Sequence, residues 1–187
     1  FKLYKFSKNT VYYNSVTINS SKLTKSSKFR VGFVGRLENE KGINMFLQIA
    51  KFMDRTNFIF KVFGKGSYEK KILDFNNVKQ YGWENQNNIY KNIDILLLTS
   101  PIENCPFTVL EAKNYGVPTL SISNGGTGEI IKNEFDGIIL NERLNLIKIK
   151  KSLIKLKKNI SAYRKNCLKR RHNFNEKTKF SKLLRVL

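Results

Sequence analysis

Residues 94–118, DILLLTSPIENCPFTVLEAKNYGVP, decide how this chain folds. Ile95-Leu96-Leu97-Leu98 is a short apolar run of the buried-strand kind, and Ser100-Pro101 ends it. Pro106 suits the first turn of a helix, where its missing N–H costs nothing. Gly116 and Pro118 stop that helix after Tyr115. Glu103 then lies in the loop at the carboxyl end of a strand, and Glu111 lies more than one turn into the helix. Both acids can face one crevice beside a helix N-terminus, where backbone N–H groups favour an anion. Two carboxylates next to an anion site suit a ligand that carries both hydroxyls and phosphates, as a nucleotide-sugar does.

Working outward, strand and helix signals alternate. Phe29–Val34 reads as a strand ending in Gly35-Arg36, and Ile43, Phe46, Leu47 and Ala50 recur at helical spacing. Phe58–Phe63 is a second strand closed by Gly64-Lys65-Gly66, followed by a helix over Tyr68–Phe75. Val78–Tyr81 is a third strand, Asn87–Asn92 a short helix and Ile93–Leu98 the fourth strand. Beyond the Pro106–Tyr115 helix come strands at Pro118–Ile122 and Gly137–Leu140, with a Gly125–Gly128 loop entering a helix at Glu129. This alternation predicts the α/β class: a Rossmann-like parallel sheet with helices on both faces, and a ligand outside the carboxyl ends of the strands. Residues 1–28 read as a linker, with a short strand at Val11-Tyr12-Tyr13, and residues 29–160 as the ligand-binding domain. Residues 161–187 read as a basic helical tail ending in a helix over Lys177–Val186. An apolar stripe, Leu146, Ile149, Leu153, Leu156 and Ile160, runs through a lysine-rich segment ahead of that tail.

With 187 residues, 41% of them apolar, the chain holds one α/β domain with a real core. No apolar run approaches the ~18 residues that cross a bilayer, and residues 1–29 have no signal-peptide pattern. The missing initiator Met leads us to expect a piece of a longer protein. Cys105 and Cys167 are too few and too far apart for a disulfide framework or a metal site, which fits a cytosolic compartment. The net charge of +21 has two readings. One is an anionic partner, such as membrane phospholipid, nucleic acid or an acidic acceptor. The other is compositional bias, because Asn, Ile and Lys are all abundant. Between Lys148 and Lys182 basic residues crowd together, with Glu176 the exception.

The individual motifs each have a plain alternative. Arg36 and Lys41 can neutralise a diphosphate, the first by a forked contact and the second as a point charge; alone they are equally a solvated basic turn. Gly64-Lys65-Gly66-Ser67 is a strand-to-helix turn and not a Walker A loop, because Ile59 stands where that motif needs glycine. Glu103 could cap a helix, and Glu111 could be an exposed helix charge. Phe107 and Thr108 can offer backbone N–H groups at the helix start, which Pro106 cannot. Cys105 shares that loop, but no histidine is near in sequence to activate it. Trp83 can line a pocket for a base or pack in the core, and His172 reads as a surface residue.

Taken in order, these segments resemble the C-terminal, donor-binding half of a retaining GT-B glycosyltransferase (glycosyl transferases group 1, family 4). The pieces are Val31-Gly32-Phe33-Val34-Gly35-Arg36-Leu37 with Glu40-Lys41-Gly42, Phe63-Gly64-Lys65-Gly66, Asp94–Leu98 with Ser100, and Glu103-x7-Glu111-Ala112 with Gly116-Val117-Pro118. Gly125-Gly126, Glu129-Ile130-Ile131 and Gly137 complete the set. The resemblance implies that Arg36 and Lys41 hold the diphosphate of a UDP- or GDP-sugar and that Glu111 takes the ribose hydroxyls. Glu103 would take the hydroxyls of the transferred sugar in the catalytic role. The Cys105-Pro106-Phe107-Thr108 stretch would complete the site, and backbone near Trp83 would face the base. No metal is implied. The acceptor, a glycan or a lipid-linked sugar, would be held by an N-terminal domain absent here, so the piece alone would bind donor without turning it over. The expected location is cytoplasmic, at most peripheral on an anionic membrane surface. A basic nucleic-acid-binding module is the weaker alternative, because the aromatic and basic interleaving of a stacking platform is missing.

Overall fold

The computed structural model describes residues 14–18, 24–122, 124–140 and 145–175. The strand expected at Val11-Tyr12-Tyr13 and the helix expected at Lys177–Val186 lie outside them.

The first half runs β1 (Phe29–Val34), α1 (Ile43–Phe52), β2 (Phe58–Phe63), α2 (Glu69–Ile72), β3 (Val78–Gln80) and α3 (Gln86–Lys91). The second runs β4 (Ile95–Leu98), β5 (Ile102–Glu103), α4 (Phe107–Asn114), β6 (Thr119–Ser121), β7 (Asn124–Gly125), α5 (Thr127–Ile130), β8 (Gly137–Ile139), α6 (Leu146–Lys158) and α7 (Ile160–Arg170). Six strands form one parallel sheet in the order β3-β2-β1-β4-β6-β8. The chain leaves β1 toward β2 and leaves β4 toward β6. Connections therefore diverge between β1 and β4, and a crevice opens there at the carboxyl edge.

Alternation along β4 shows why the run is apolar throughout. Ile95 and Leu97 join a core with Phe46 and Ile49 of α1 and Ile149, Leu153 and Leu156 of α6. Leu96 and Leu98 face the other way, onto Ile89 and Tyr90 of α3 and Val109 and Leu110 of α4. Both faces are covered, so a polar residue on either would be buried. Phe46 anchors the first core edge-on between Phe33 and Phe60, with both ring centroids 5.4 Å away. Truncating such a ring costs about 3–5 kcal/mol.

Two glycines set the loops of the carboxyl edge. Gly42 (φ 75°) ends the 3-10 turn Asn39–Lys41 and starts α1; a Cβ there would stand 2.1 Å from the Thr99 carbonyl oxygen. Gly64 (φ 140°) lets the loop after β2 lie against the loop after β1, where a Cβ would meet Gly35 O at 1.9 Å. A side chain at either position would push the loops apart.

Residues 161–175 pack into the same body. Tyr163 and Cys167 of α7 are buried, and α7 lies against α4. Two ion clusters fix it. Asp94 accepts Arg30 Nε at 3.0 Å and Arg30 Nη2 at 2.9 Å from β1, and it also contacts Arg164 of α7. Asp136, fully buried, accepts the Lys132 N–H at 2.8 Å and Arg170 Nη1 at 2.6 Å, and closely contacts Lys113 Nζ of α4.

Candidate functional site

Between β1, the end of β4 and the start of α4 lies a cavity of about 300 Å³. Phe33, Leu96 and Leu97 form part of its wall, and Lys41, Ser100, Glu103, Cys105, Pro106, Phe107 and Thr108 bring the polar chemistry. The sheet order puts them together: Lys41 arrives on the β1–α1 loop, and the others arrive on the β4–α4 segment.

Lys41 Nζ contacts Glu103 Oε1 at 2.8 Å, joining positions 62 apart in sequence. The lysine side chain is 36% exposed and the glutamate 16%. Glu103 is held by a two-residue parallel pairing of β5 with β7, in which Ile102 pairs with Asn124 and Glu103 with Gly125. Its Oε2 has no partner among the described residues. Beside this pair, α4 begins at Pro106 with no side chain capping its N–H groups. Val109 N–H donates to Pro106 O at 3.1 Å, which leaves the N–H groups of Phe107 and Thr108, with no carbonyl one turn behind them, to favour negative charge.

Glu111 does not line the cavity. It sits one turn further along α4, where Tyr90 Oη donates to Oε2 at 2.7 Å and Gln86 Nε2 donates to Oε1 at 2.9 Å. Tyr90 Oη is also 3.2 Å from the carbonyl of Thr108, which does line the cavity. Burial, then the Glu111 carboxylate, pushes the Tyr90 hydroxyl well above its ordinary pKa, so it stays a donor. Of the two acids of the Glu103-x7-Glu111 spacing, Glu103 lines the cavity and Glu111 does not.

Arg36 does not line the cavity. Its side chain is 61% exposed and pairs with Glu40 four residues on, outside the cavity lining. Trp83 is 57% exposed, which removes the core alternative, and it too lies outside the lining. His172 is exposed. Ser100, which sequence reasoning named as a motif residue without giving it a site role, has its Oγ buried without a hydrogen-bond partner among the described residues beside the cavity. Its place at the end of β4 was the available signal. Sequence reasoning missed Tyr90 and Gln86, because nothing in a six-residue helix marks which side chains reach Glu111.

A doubly wound parallel sheet with a cavity at its switch point defines the class: a Rossmann-like ligand-binding domain. Within that class, the chain belongs to the family Glycosyl transferases group 1, which matches residues 16–179. It is 32% identical over 129 residues to a UDP-Gal:alpha-D-GlcNAc-diphosphoundecaprenol alpha-1,3-galactosyltransferase of Escherichia coli, covering 62% of this chain and 33% of that protein. The chain spans about a third of the length of the first curated relatives it matches. Among solved structures, TarM of S. aureus superposes with a TM-score of 0.79 at 17% identity, covering 91% of this chain and 37% of TarM. Anabaena HepE in complex with UDP-glucose gives 0.72 at 19% identity, covering 86% of this chain and 50% of HepE. The expected fold, the Rossmann-like half of a GT-B glycosyltransferase, is the fold observed.

Proposed function

We propose that this chain is the nucleotide-sugar-binding domain of a retaining glycosyltransferase that moves a hexose from a UDP- or GDP-sugar to a glycan or lipid-linked acceptor. The observation that carries the reading is the Lys41–Glu103 contact beside the uncapped start of α4. Lys41 leaves Glu103 for the diphosphate when donor enters. The released carboxylate then accepts hydroxyls of the sugar, and the N–H groups of Phe107 and Thr108 take phosphate oxygens. This set stabilises negative charge on the leaving diphosphate without a metal.

The cavity volume, at the low end of the ~300–1,000 Å³ typical of ligand pockets, suits a diphosphate and one sugar. The nucleoside then lies outside it, across Thr108 toward Glu111, whose carboxylate is already aimed by Tyr90 and Gln86 and takes the ribose hydroxyls. Arg36 reaches the diphosphate by exchanging Glu40 for phosphate, and Trp83 stands by the base. The acceptor site belongs to a second domain, so this piece binds donor and does not turn it over. Its working place is the cytoplasmic face of a membrane, where a lipid-linked acceptor is met. HepE, solved with UDP-glucose, and the E. coli relative, named for UDP-Gal, support the donor class.

A thermal-shift panel of UDP-, GDP- and ADP-sugars tests the reading. A raised unfolding midpoint with a UDP- or GDP-sugar is expected, growing with ligand concentration. No shift with any member of the panel refutes it.

A further inference from the structure

The basic residues of the last two described helices are used in different ways. In α7, Arg164 and Arg170 turn inward and are consumed by Asp94 and Asp136. In α6, LIKIKKSLIKLKK carries six lysines and no acid. Ile149, Leu153 and Leu156 bury one side of this helix against the core. At ~100° per residue, Ile147, Lys151, Ile154 and Lys158 form a single line on the opposite side. Ile147 is 62% exposed and Ile154 47% exposed. Lys151 and Lys158 have no hydrogen-bond or ion-pair partner among the described residues. Beside that line, Lys150 Nζ lies 5.6 Å from the ring centroid of Phe52 at the end of α1, itself 43% exposed.

A solvated lysine face needs no isoleucines at its apex. Two such side chains set among unpaired lysines, with a half-exposed phenylalanine alongside, match a surface that must satisfy apolar and anionic neighbours at once. We propose that the outer face of α6 docks this domain on an anionic lipid surface, with Ile147 and Ile154 entering the headgroup–acyl boundary and Lys150, Lys151 and Lys158 on lipid phosphates. Helices that lie in an interface have this composition, with long lysine stems reaching up to the headgroups. Electrostatic attraction to anionic lipid adds to the apolar contact. Nucleic acid fits less well, since phosphates would meet the lysines and leave the isoleucines in water.

The docking surface gives a physical basis to the membrane location proposed above and rests on that reading, but it shares no residue with the donor cavity. The test is co-sedimentation of the 187-residue chain with phosphatidylcholine vesicles and with vesicles of phosphatidylcholine and phosphatidylserine in equal parts. Binding to the anionic vesicles alone is expected. The Ile147→Asn/Ile154→Asn double variant should bind at least about tenfold more weakly at unchanged net charge. The Lys151→Glu/Lys158→Glu variant should lose binding and show a flatter salt response. UDP-sugar thermal shifts, measured on the same samples, report folding and the donor site separately, so either proposal can fail without the other. The docking proposal is overturned if wild type ignores anionic vesicles, or if the isoleucine variant binds them like wild type. It is equally overturned if single-stranded RNA displaces the vesicles and binds wild type and the isoleucine variant equally.

Discussion

Around Asp136 a lysine and an arginine are sunk between α4 and α7, whereas at the cavity Lys41 meets Glu103 with 36% of its side chain still exposed. Both regions are built from the same ion-pair chemistry. They differ in saturation. Asp136 takes the Lys132 N–H on one oxygen and Lys113 and Arg170 on the other, and Lys113 is 3% exposed. Burial pulls the Lys113 ammonium below its ordinary pKa, with the Asp136 charge opposing it. Among the described residues Glu103 has a single side-chain contact and an unused oxygen. A closed cluster has nothing left to offer a ligand, while a half-open pair can exchange one partner for another. Burial and coordination, rather than residue type, separate the closed salt bridges of this domain from the one proposed above to meet the donor.

The largest effect expected from that contrast is on stability. Asp136→Ala strands the buried Lys113 and leaves the partly buried Arg170 without its acid, and it should cost about 3–5 kcal/mol, a large part of the ~5–15 kcal/mol that holds a domain together. Chemical denaturation measures it; a loss below ~1 kcal/mol would erase the distinction between the two regions. Lys41→Ala should do the reverse. Its unfolding free energy changes by less than ~1 kcal/mol, while UDP binding weakens about tenfold to a hundredfold through the lost charge-assisted contact. Calorimetric titration beside denaturation curves checks both halves of that statement.

A smaller effect contrasts the two cysteines. Cys167 is buried, donates to the Asp136 carbonyl at 3.2 Å, and has its pKa pushed up to about 12 by burial. Cys105 is half-buried on the cavity wall. One thiol should therefore react with an exposed-thiol reagent in the folded state, and UDP should slow that reaction; two fast thiols, or no protection, would count against the cavity as drawn.

The smallest effect lies at the surface. Asp54 is held down to about 2 by hydrogen bonds from Asn57 and Thr56. A carboxylate lowered in the folded state stabilises above its ordinary value of 3.8 and loses that contribution as pH falls to about 2. Thermal midpoints of wild type should fall more steeply than those of Asp54→Asn across that window. Parallel curves would show that this turn does not contribute.

How much of this was readable beforehand follows from the range of each interaction. The strands and the Pro106–Tyr115 helix are local patterns, and they stand within a few residues of their expected ends. Lys41 and Glu103 were legible as site candidates because both fall on loops at one sheet edge. Arg36 had two readings, a solvated basic turn or, through the resemblance, a diphosphate ligand; in this structure it takes the acid four residues on. Arg164 and Arg170 read as part of a basic helical tail. Their partners lie 70 and 34 positions away, beyond the reach of any local pattern. Lys113 was invisible for the same reason: a lysine in a helix implies solvent until a buried acid 23 positions away is known.

Amide chemical-shift mapping during a UDP titration probes the account at its centre. Perturbations should gather on Lys41, on residues 99–108 and on Glu111, and stay small around Lys113, Asp136 and Arg170. Shifts concentrated on the lysines of α6, with the β1–β4 crevice unmoved, would contradict it.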